Sequence, residues 1–279
     1  DLGSGLRDAE IEWFLDVLGI SKIPISEFHG VRANSILRNS DCFVPKEAVL
    51  VCSNEARKSR RIPSNEGAGA GSSTDRAICT GLLELVERDA IALWWYGGGP
   101  ARGIPESELV ELGVAEFADG IARSNDRVWW IMEIQNDFDI PVCCAVSSDF
   151  SGEDIIAGFA AKPTLADAAQ SALLEMSQME LASLISNARA GTVRLEDMSP
   201  MDRQWMDQKQ ALSVAKTPEI LAPTSDRRFS TDKSGMEPYA LARIIEDAGF
   251  SALYIDITPR EFKIKTVKAI IPGLQSMNN

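Results

Sequence analysis

Apolar residues recur at helical spacing in several segments of this 279-residue chain. Residues three or four positions apart share one face of a helix, so this spacing predicts amphipathic helices. Thr164 and Asp167 resemble a capping box, with Asp in place of the usual Glu, and indicate the start of a long helix. The segments predicted to be helical are 8–18, 74–96, 106–124, 164–189 and 237–250.

Runs of apolar and β-branched residues between these helices predict strands. Short strand-like pieces also alternate with polar turns between residues 23 and 51. This pattern is typical of one large α/β domain in which helices flank a mixed β-sheet. The runs predicted to be strands are 128–134, 140–148, 154–161, 251–258 and 262–273.

Two polar segments interrupt the pattern. Residues 53–61 are predicted to form a solvated surface loop, an interpretation that we prefer to a phosphate contact by Arg60 or Arg61. Residues 192–235 are rich in Met, Asp and Ser and predict a mobile connection that would serve as a lid or a partner-binding segment.

Charge and hydropathy narrow the classes of function. The net charge of −13 argues against nucleic acid as a partner, because phosphate binding requires clustered Lys and Arg. No run of about 18 apolar residues is present to span a bilayer, and Asp1 does not begin a secretory signal. We therefore expect a cytoplasmic protein without membrane contact.

The cysteine and histidine content argues against disulfide, zinc and triad chemistry. The five cysteines lack CxxC spacing, so they predict buried reduced thiols. His29 is the only histidine and lies in a Pro- and Gly-flanked loop, which disfavours a Ser-His or Cys-His nucleophile pair. The remaining carboxylates, amides, hydroxyls and arginines suit a magnesium nucleotide.

A glycine- and serine-rich loop, SNEGAGAGSST over residues 64–74, leads directly into the second predicted helix. The first turn of a helix presents unpaired N–H groups and the positive end of the helix dipole, which together attract phosphate. Ser72, Ser73 or Thr74 is expected to cap this helix. The loop and helix start therefore form a candidate phosphate site.

Two sets of polar residues at i, i+3 spacing lie on predicted helices. Glu84 and Glu87 share one helix face, with Arg88 one turn beyond Glu84, and converging carboxylates of this kind hold Mg²⁺ in many proteins. Glu175 and Gln178 repeat the spacing among apolar residues. Spacing alone does not separate a metal site from a solvated charged face, which is the commoner outcome.

Several strings along the chain carry a resemblance to a known family. SNEGAGAG, GLLELVERDAIALWWY, IPVCCAV, IAGFAA, ALLEMSQ and IIPGLQ occur in this order and resemble the YcaO family. ELVERD followed by ALWWY is most similar to the azoline-forming cyclodehydratases that modify ribosomally made peptides. The resemblance covers residues 28–275, matches 192–235 poorly, and hardly includes residues 1–27.

This resemblance implies a YcaO-type fold with ATP between helices and with ATP and Mg²⁺ as cofactors. The residues that it implies for nucleotide binding are Ser64, Asn65, Ser72, Arg76, Glu84, Glu87, Arg88 and Gln178. Those that it implies for metal binding are Glu84, Glu87 and Glu175.

The implied reaction is activation of a peptide backbone amide. In this family the γ-phosphate of ATP is transferred to a peptide amide oxygen after a nucleophile has attacked the carbonyl, which makes the oxygen a good leaving group. The resemblance implies that Cys, Ser or Thr of a precursor peptide becomes an azoline. It also implies a separate leader-binding partner, because residues 1–27 leave no room for a recognition domain. Whether the chain forms a homodimer is left open by the sequence.

The loop departs from the family pattern AGNTxEEA at two positions. Ser72 stands where the family has Asn, and Arg76 stands where it has Glu; an arginine can contact phosphate but cannot ligate Mg²⁺. The family's earlier glutamate pair has no clear counterpart before Ser64, and 3–19 resembles at most a worn copy. This half of the site is therefore either truncated or degraded.

Two alternatives to azoline formation follow from these departures and from the shared chemistry of the family. The first is a catalytically degenerate subunit that acts as a scaffold or binds peptide. The second is thioamide or amidine formation, which uses the same amide activation with a different nucleophile.

Overall fold

The computed structural model describes residues 5–17, 30–38, 40–46, 65–122, 127–190 and 212–275. In chain order, the described helices are α1 (Asp8–Val17), α2 (Thr74–Gly97), α3 (Glu106–Glu111), α4 (Val114–Ala122), α5 (Leu165–Ala190) and α6 (Pro238–Asp247). The described strands are β1 (Gly30–Ser35), β2 (Asp41–Pro45), β3 (Ala68–Gly71), β4 (Ala101–Gly103), β5 (Val128–Ile134), β6 (Val142–Ser148), β7 (Ile156–Ala161), β8 (Leu253–Asp256) and β9 (Lys265–Ile270).

The chain divides into two compact units. Unit one comprises Asp1–Ala92 and Gly235–Asn279, and unit two comprises Leu93–Ser234. Each unit contains an antiparallel sheet and helices, which confirms the predicted α/β class. The sequence suggested one mixed sheet; the described strands instead pair antiparallel in two sheets, because strand direction and partner are set by long-range contacts that local periodicity does not encode.

Unit one is built on a five-stranded sheet with the order β2-β1-β8-β9-β3. Phe14 of α1 is fully buried and packs in a core with apolar residues of β1, β2, β8 and β9. β3 forms one edge of the sheet and pairs with β9, with Ala68 opposite Lys268. This pairing joins the glycine-rich loop to a strand near the end of the chain.

Unit two is built on a four-stranded sheet with the order β4-β5-β6-β7. Every residue of β6 is buried, and α5 packs on the sheet through Ala172, Leu173 and Met176. The predicted helix over 106–124 is instead two helices, α3 and α4. Gly113 lies between them with φ of +69°, a left-handed conformation that interrupts a right-handed helix.

The predicted cap of the long helix is confirmed. The Thr164 hydroxyl accepts a hydrogen bond from the Asp167 N–H at 3.1 Å, and it donates to the Asp167 carboxylate at 2.7 Å. These bonds satisfy groups that the first turn of α5 leaves unpaired.

The described part of the predicted connection, from Leu212 to Ser234, is hydrogen bonded to the rest of unit two. The Val214 N–H donates to the Gly152 carbonyl at 2.8 Å, and the Trp130 indole N–H donates to the Ile220 carbonyl at 2.6 Å. The Ser230 hydroxyl donates to Glu133, which is itself fully buried. Residues 191–211 lie outside the described residues.

A buried ionic cluster joins three parts of unit two. The Arg102 guanidinium donates to Glu133 at 2.6 Å and to Glu108 at 2.8 Å, and it also donates to the Ser225 carbonyl at 2.7 Å. Arg228 adds a second cation at 2.6 Å from Glu108. Burial alone would raise the pKa of Glu108, but the hydrogen bonds from Arg102 and Arg228 outweigh it and lower that pKa.

The described cysteines agree with the prediction of reduced, buried thiols. Cys42, Cys143 and Cys144 are free and buried, and Cys79 is free and half-buried. Burial raises the pKa of Cys42 and of Cys79 to about 11, which leaves both thiols protonated near neutral pH. His29, Arg60 and Arg61 lie outside the described residues. No described helix is both long and apolar enough to cross a membrane.

Candidate functional site

The glycines of β3 bring its backbone directly against α2. A Cβ atom built on Gly69 would lie 2.0 Å from the Ala77 carbonyl oxygen, and one on Gly81 would lie 2.6 Å from the Gly67 carbonyl oxygen. No side chain fits at such a contact, so the alternating glycines of the loop are explained by backbone approach. β3 is therefore a glycine-rich edge strand that leads directly to the start of α2.

Ser73 caps α2. Its hydroxyl accepts a hydrogen bond from the Arg76 N–H at 3.2 Å, which selects Ser73 among the three residues predicted to cap the helix. Ser72 and Arg76 are exposed beside this turn, and Asn65 is exposed at the start of the loop. Ser64 lies outside the described residues. The helix start thus has the dipole and exposed polar groups that suit phosphate.

Glu84 is half-buried on α2 and accepts a hydrogen bond from the Gly67 N–H. Burial raises the pKa of its carboxyl, and the charge of Arg88, the Gly67 N–H and the charge of Lys268 oppose that rise. The carboxylate is therefore held by the glycine loop rather than displayed on a freely solvated helix face.

Glu87 and Arg88 lie beside Glu84 on α2. The Arg88 Nε is 3.7 Å from a Glu87 carboxylate oxygen. This Nε is buried and has no hydrogen-bond partner within the described residues. A buried guanidinium N–H without an acceptor is costly, and an anionic oxygen from a ligand would satisfy it. This orphaned donor, two adjacent carboxylates and the glycine loop fit a magnesium nucleotide.

Asp89, the next residue of the ELVERD string, has a structural contact. It is buried, and its carboxylate accepts a hydrogen bond from the Gln275 N–H at 2.8 Å. Asp89 therefore anchors the chain after β9. This structural contact is sufficient to explain an acidic residue after Arg88.

Unit two contains a similar arrangement, in which a backbone N–H holds a glutamate of a helix. The Glu175 carboxylate accepts a hydrogen bond from the Phe159 N–H at 2.7 Å. A Cβ atom on the neighbouring Gly158 would lie 2.2 Å from the Met176 nitrogen, so here too a glycine lets strand and helix backbones touch. Gln178 is exposed one turn further along α5.

We expect Gly158→Ala to destabilise unit two by about 1–3 kcal/mol. The added methyl group would meet helix backbone, which cannot turn aside as a flexible side chain would. The matched control is Gly97→Ala, because a Cβ atom there would meet nothing within 4 Å. Urea unfolding of both variants measures the difference, and equal stabilities would show that α5 moves away from β7 freely.

The predicted residues thus fall into two groups. Asn65, Ser72, Arg76 and the α2 residues 84, 87 and 88 belong to unit one, and Glu175 and Gln178 belong to unit two. Within the described part of the chain, no three His, Cys, Asp or Glu side chains converge as a ready metal site. Mg²⁺ commonly uses one or two carboxylates together with substrate phosphates, so two glutamates suit this ion without a closed cage.

Sequence reasoning missed Lys268. This residue of β9 is only 9% exposed, and its ammonium donates to the Glu66 carbonyl. Burial lowers the pKa of Lys268, and the charges of Glu84 and Glu66 oppose that effect. The sequence did contain a sign of this residue, since a lysine lies inside the apolar run TVKAII, where burial of a charge without a partner is costly.

Comparison with known proteins gives one family and several similar structures. A family model described as YcaO cyclodehydratase, ATP- and Mg²⁺-binding, matches residues 6–275. An uncharacterized protein of Methanothermobacter thermautotrophicus is 24% identical over 263 residues, which cover 90% of this chain and 66% of the relative. The family description confirms the predicted cofactors, ATP and Mg²⁺.

Two solved structures show the same fold. A heterocyclase in complex with substrate and cofactor has a TM-score of 0.73 at 24% identity, and the likeness covers 92% of this chain and 34% of that one. YcaO from Methanopyrus kandleri, bound with AMPPCP and Mg²⁺, has a TM-score of 0.64 at 20% identity, covering 88% and 64%. This chain therefore spans about a third of the heterocyclase.

Proposed function

Because this chain belongs to the YcaO family, we propose that it uses ATP and Mg²⁺ to activate backbone amides of a ribosomally made precursor peptide. The proposed outcome is cyclodehydration of Cys, Ser or Thr to an azoline. The observation that carries the proposal is the arrangement of Glu84, Glu87 and Arg88 beside the glycine loop, where Arg88 has a buried donor without an acceptor among the described residues.

Each of these residues has a proposed task. Glu84 and Glu87 would hold Mg²⁺, and the Arg88 Nε would donate to a phosphate oxygen. The first turn of α2, capped by Ser73, would direct its N–H groups at phosphate. ATP, when bound, supplies the phosphoryl group that turns the amide oxygen into a leaving group.

From the family resemblance, Glu175 is proposed to bind metal and Gln178 to bind nucleotide. The hydrogen bond from Phe159 fixes the Glu175 carboxylate, and an orienting bond of this kind is what a metal ligand needs. The exposed amide of Gln178 has both a donor and an acceptor for a nucleotide. The proposed partners are the precursor peptide and a separate leader-binding protein.

A second candidate is a degenerate subunit that binds peptide without turning over ATP. Arg76 favours it, since this residue is exposed at the position where the family loop places a Glu, and an arginine cannot ligate a cation. Thioamide or amidine formation is the remaining alternative, with the same residues and a different nucleophile.

The proposal is tested with the purified chain, Mg-ATP and peptides that contain Cys, Ser or Thr, beside matched peptides with Ala at those positions. Loss of one water from the first set, together with ADP and phosphate release, is the expected result. Mass spectrometry with and without a candidate leader-binding protein measures it. ATP binding without any dehydration, in every combination, would favour the scaffold.

A further inference from the structure

One peptide unit joins a buried lysine to a proposed metal ligand. The Lys268 ammonium donates a hydrogen bond to the Glu66 carbonyl. The N–H of that same peptide unit belongs to Gly67, and it donates to the Glu84 carboxylate. Lys268 and Glu84 therefore bind opposite ends of the Glu66–Gly67 peptide.

The direction of this peptide suits both charges. The carbonyl is the negative end of a peptide dipole and the N–H is the positive end. Here the negative end faces the Lys268 ammonium, and the positive end faces the Glu84 carboxylate. Hydrogen bonds in a chain polarise one another, so a cation on the carbonyl makes the Gly67 N–H a stronger donor to Glu84.

The neighbouring strand fixes the position of the peptide. The Ala269 N–H donates to the Gly67 carbonyl at 2.7 Å, so consecutive residues of β9 bind the consecutive carbonyls of Glu66 and Gly67. Gly67 has φ of +79°, and a Cβ atom there would lie 2.4 Å from the Ala269 oxygen. A glycine is therefore required for this peptide to face Lys268 and Glu84 together.

We propose that Lys268 is a positioning residue of the nucleotide site, which orients the Glu84 carboxylate through the Glu66–Gly67 peptide. The inference rests on the proposed function, because orienting Glu84 matters to binding through Mg²⁺. Groups that orient a metal ligand affect metal affinity strongly without touching the metal. The desolvation cost of burying an ammonium group then has a functional explanation.

The test measures Mg-ATP affinity by calorimetry in Lys268→Met, Lys268→Arg and Lys263→Met. Methionine keeps much of the apolar stem and removes the charge and all donors, so we expect affinity to fall about 10-fold or more. Arginine keeps a charged donor and is expected to restore most of the affinity. Lys263 is exposed in the connection between β8 and β9, and its replacement is expected to leave affinity unchanged.

A nucleotide-free measurement separates this role from a general loss of packing. The amide proton resonance of Gly67 reports its hydrogen bond to Glu84, and we expect Lys268→Met to shift it upfield while Lys263→Met leaves it unchanged. A lysine that only supports the sheet would leave the Gly67 resonance in place.

The outcomes separate the two proposals. Unchanged Mg-ATP affinity in a folded Lys268→Met variant overturns the positioning role and leaves the proposed function standing. Failure of the unmodified chain to bind Mg-ATP overturns the proposed function and the positioning role with it. If Lys268→Met does not fold, Lys268→Gln replaces it: this variant keeps a neutral donor, so weaker binding supports the role and equal binding overturns it.

Discussion

Replacement of Glu84 or Glu87 by glutamine is expected to weaken Mg-ATP binding at least about 100-fold. Loss of a group that only orients a metal ligand costs up to about 100-fold in affinity, and loss of a ligand itself should cost at least as much. Glutamine has nearly the shape of glutamate but lacks the charge that a hard cation such as Mg²⁺ prefers. In Glu84→Gln, the amide oxygen of the new side chain would still accept the Gly67 N–H, so the helix and loop should remain packed. Calorimetric titration of Mg-ATP into each folded variant measures the loss.

The matched control for this charge change is Glu12→Gln, because Glu12 is exposed on α1 of the same unit. It should bind Mg-ATP as the unmodified chain does. Equal affinities for Glu84→Gln, Glu87→Gln and the control would remove both glutamates from the metal site. No heat with the unmodified chain would instead favour the peptide-binding scaffold.

The sequence predicted the elements of the fold well where apolar spacing was regular. The predicted strand 128–134 is β5 without change, and the predicted helix 164–189 is α5 within one residue at each end. Strand pairing was not predictable in this way. Ala68 pairs with Lys268, and neither local sequence contains information about a partner some two hundred residues away.

The candidate site was predictable only in part, for a related reason. Glu84, Glu87 and Arg88 were found because they form one compact string on a helix and because that string resembles a family. Lys268 was not found, because it contacts the glycine loop through the backbone carbonyl of Glu66, and a carbonyl has no signature in sequence. Motif analysis thus identifies side chains that form one local string and overlooks a side chain whose contacts lie with distant backbone.

The same limit applies to Arg102, which no motif identified. It follows the loop after α2, where a single arginine is ordinarily expected at the surface, yet it is 1% exposed. Its partners Glu108 and Glu133 come from α3 and β5, and Ser225 lies more than a hundred residues further along the chain. Its burial depends on three segments that meet only in the folded unit.

Arg102→Met is expected to lower the free energy of unfolding of unit two by about 3–5 kcal/mol, the usual cost of removing one partner of a buried ion pair. The loss arises because Glu133 is fully buried and its carboxylate would lose the guanidinium that pairs with it. Five of the six tryptophans belong to unit two, so urea unfolding followed by tryptophan fluorescence reports mainly this unit.

Two further variants separate charge from packing at this position. Arg227→Met removes an exposed arginine of the same unit and is expected to change stability by less than about 0.5 kcal/mol. Glu133→Gln in the Arg102→Met background removes the uncompensated charge, so it should recover part of the loss rather than add to it. A loss below about 1 kcal/mol for Arg102→Met, or strict additivity in the double variant, would mean that water reaches Glu133 once the guanidinium is gone. Recovery in the double variant would instead establish that Arg102 stabilises unit two by compensating the buried charge of Glu133.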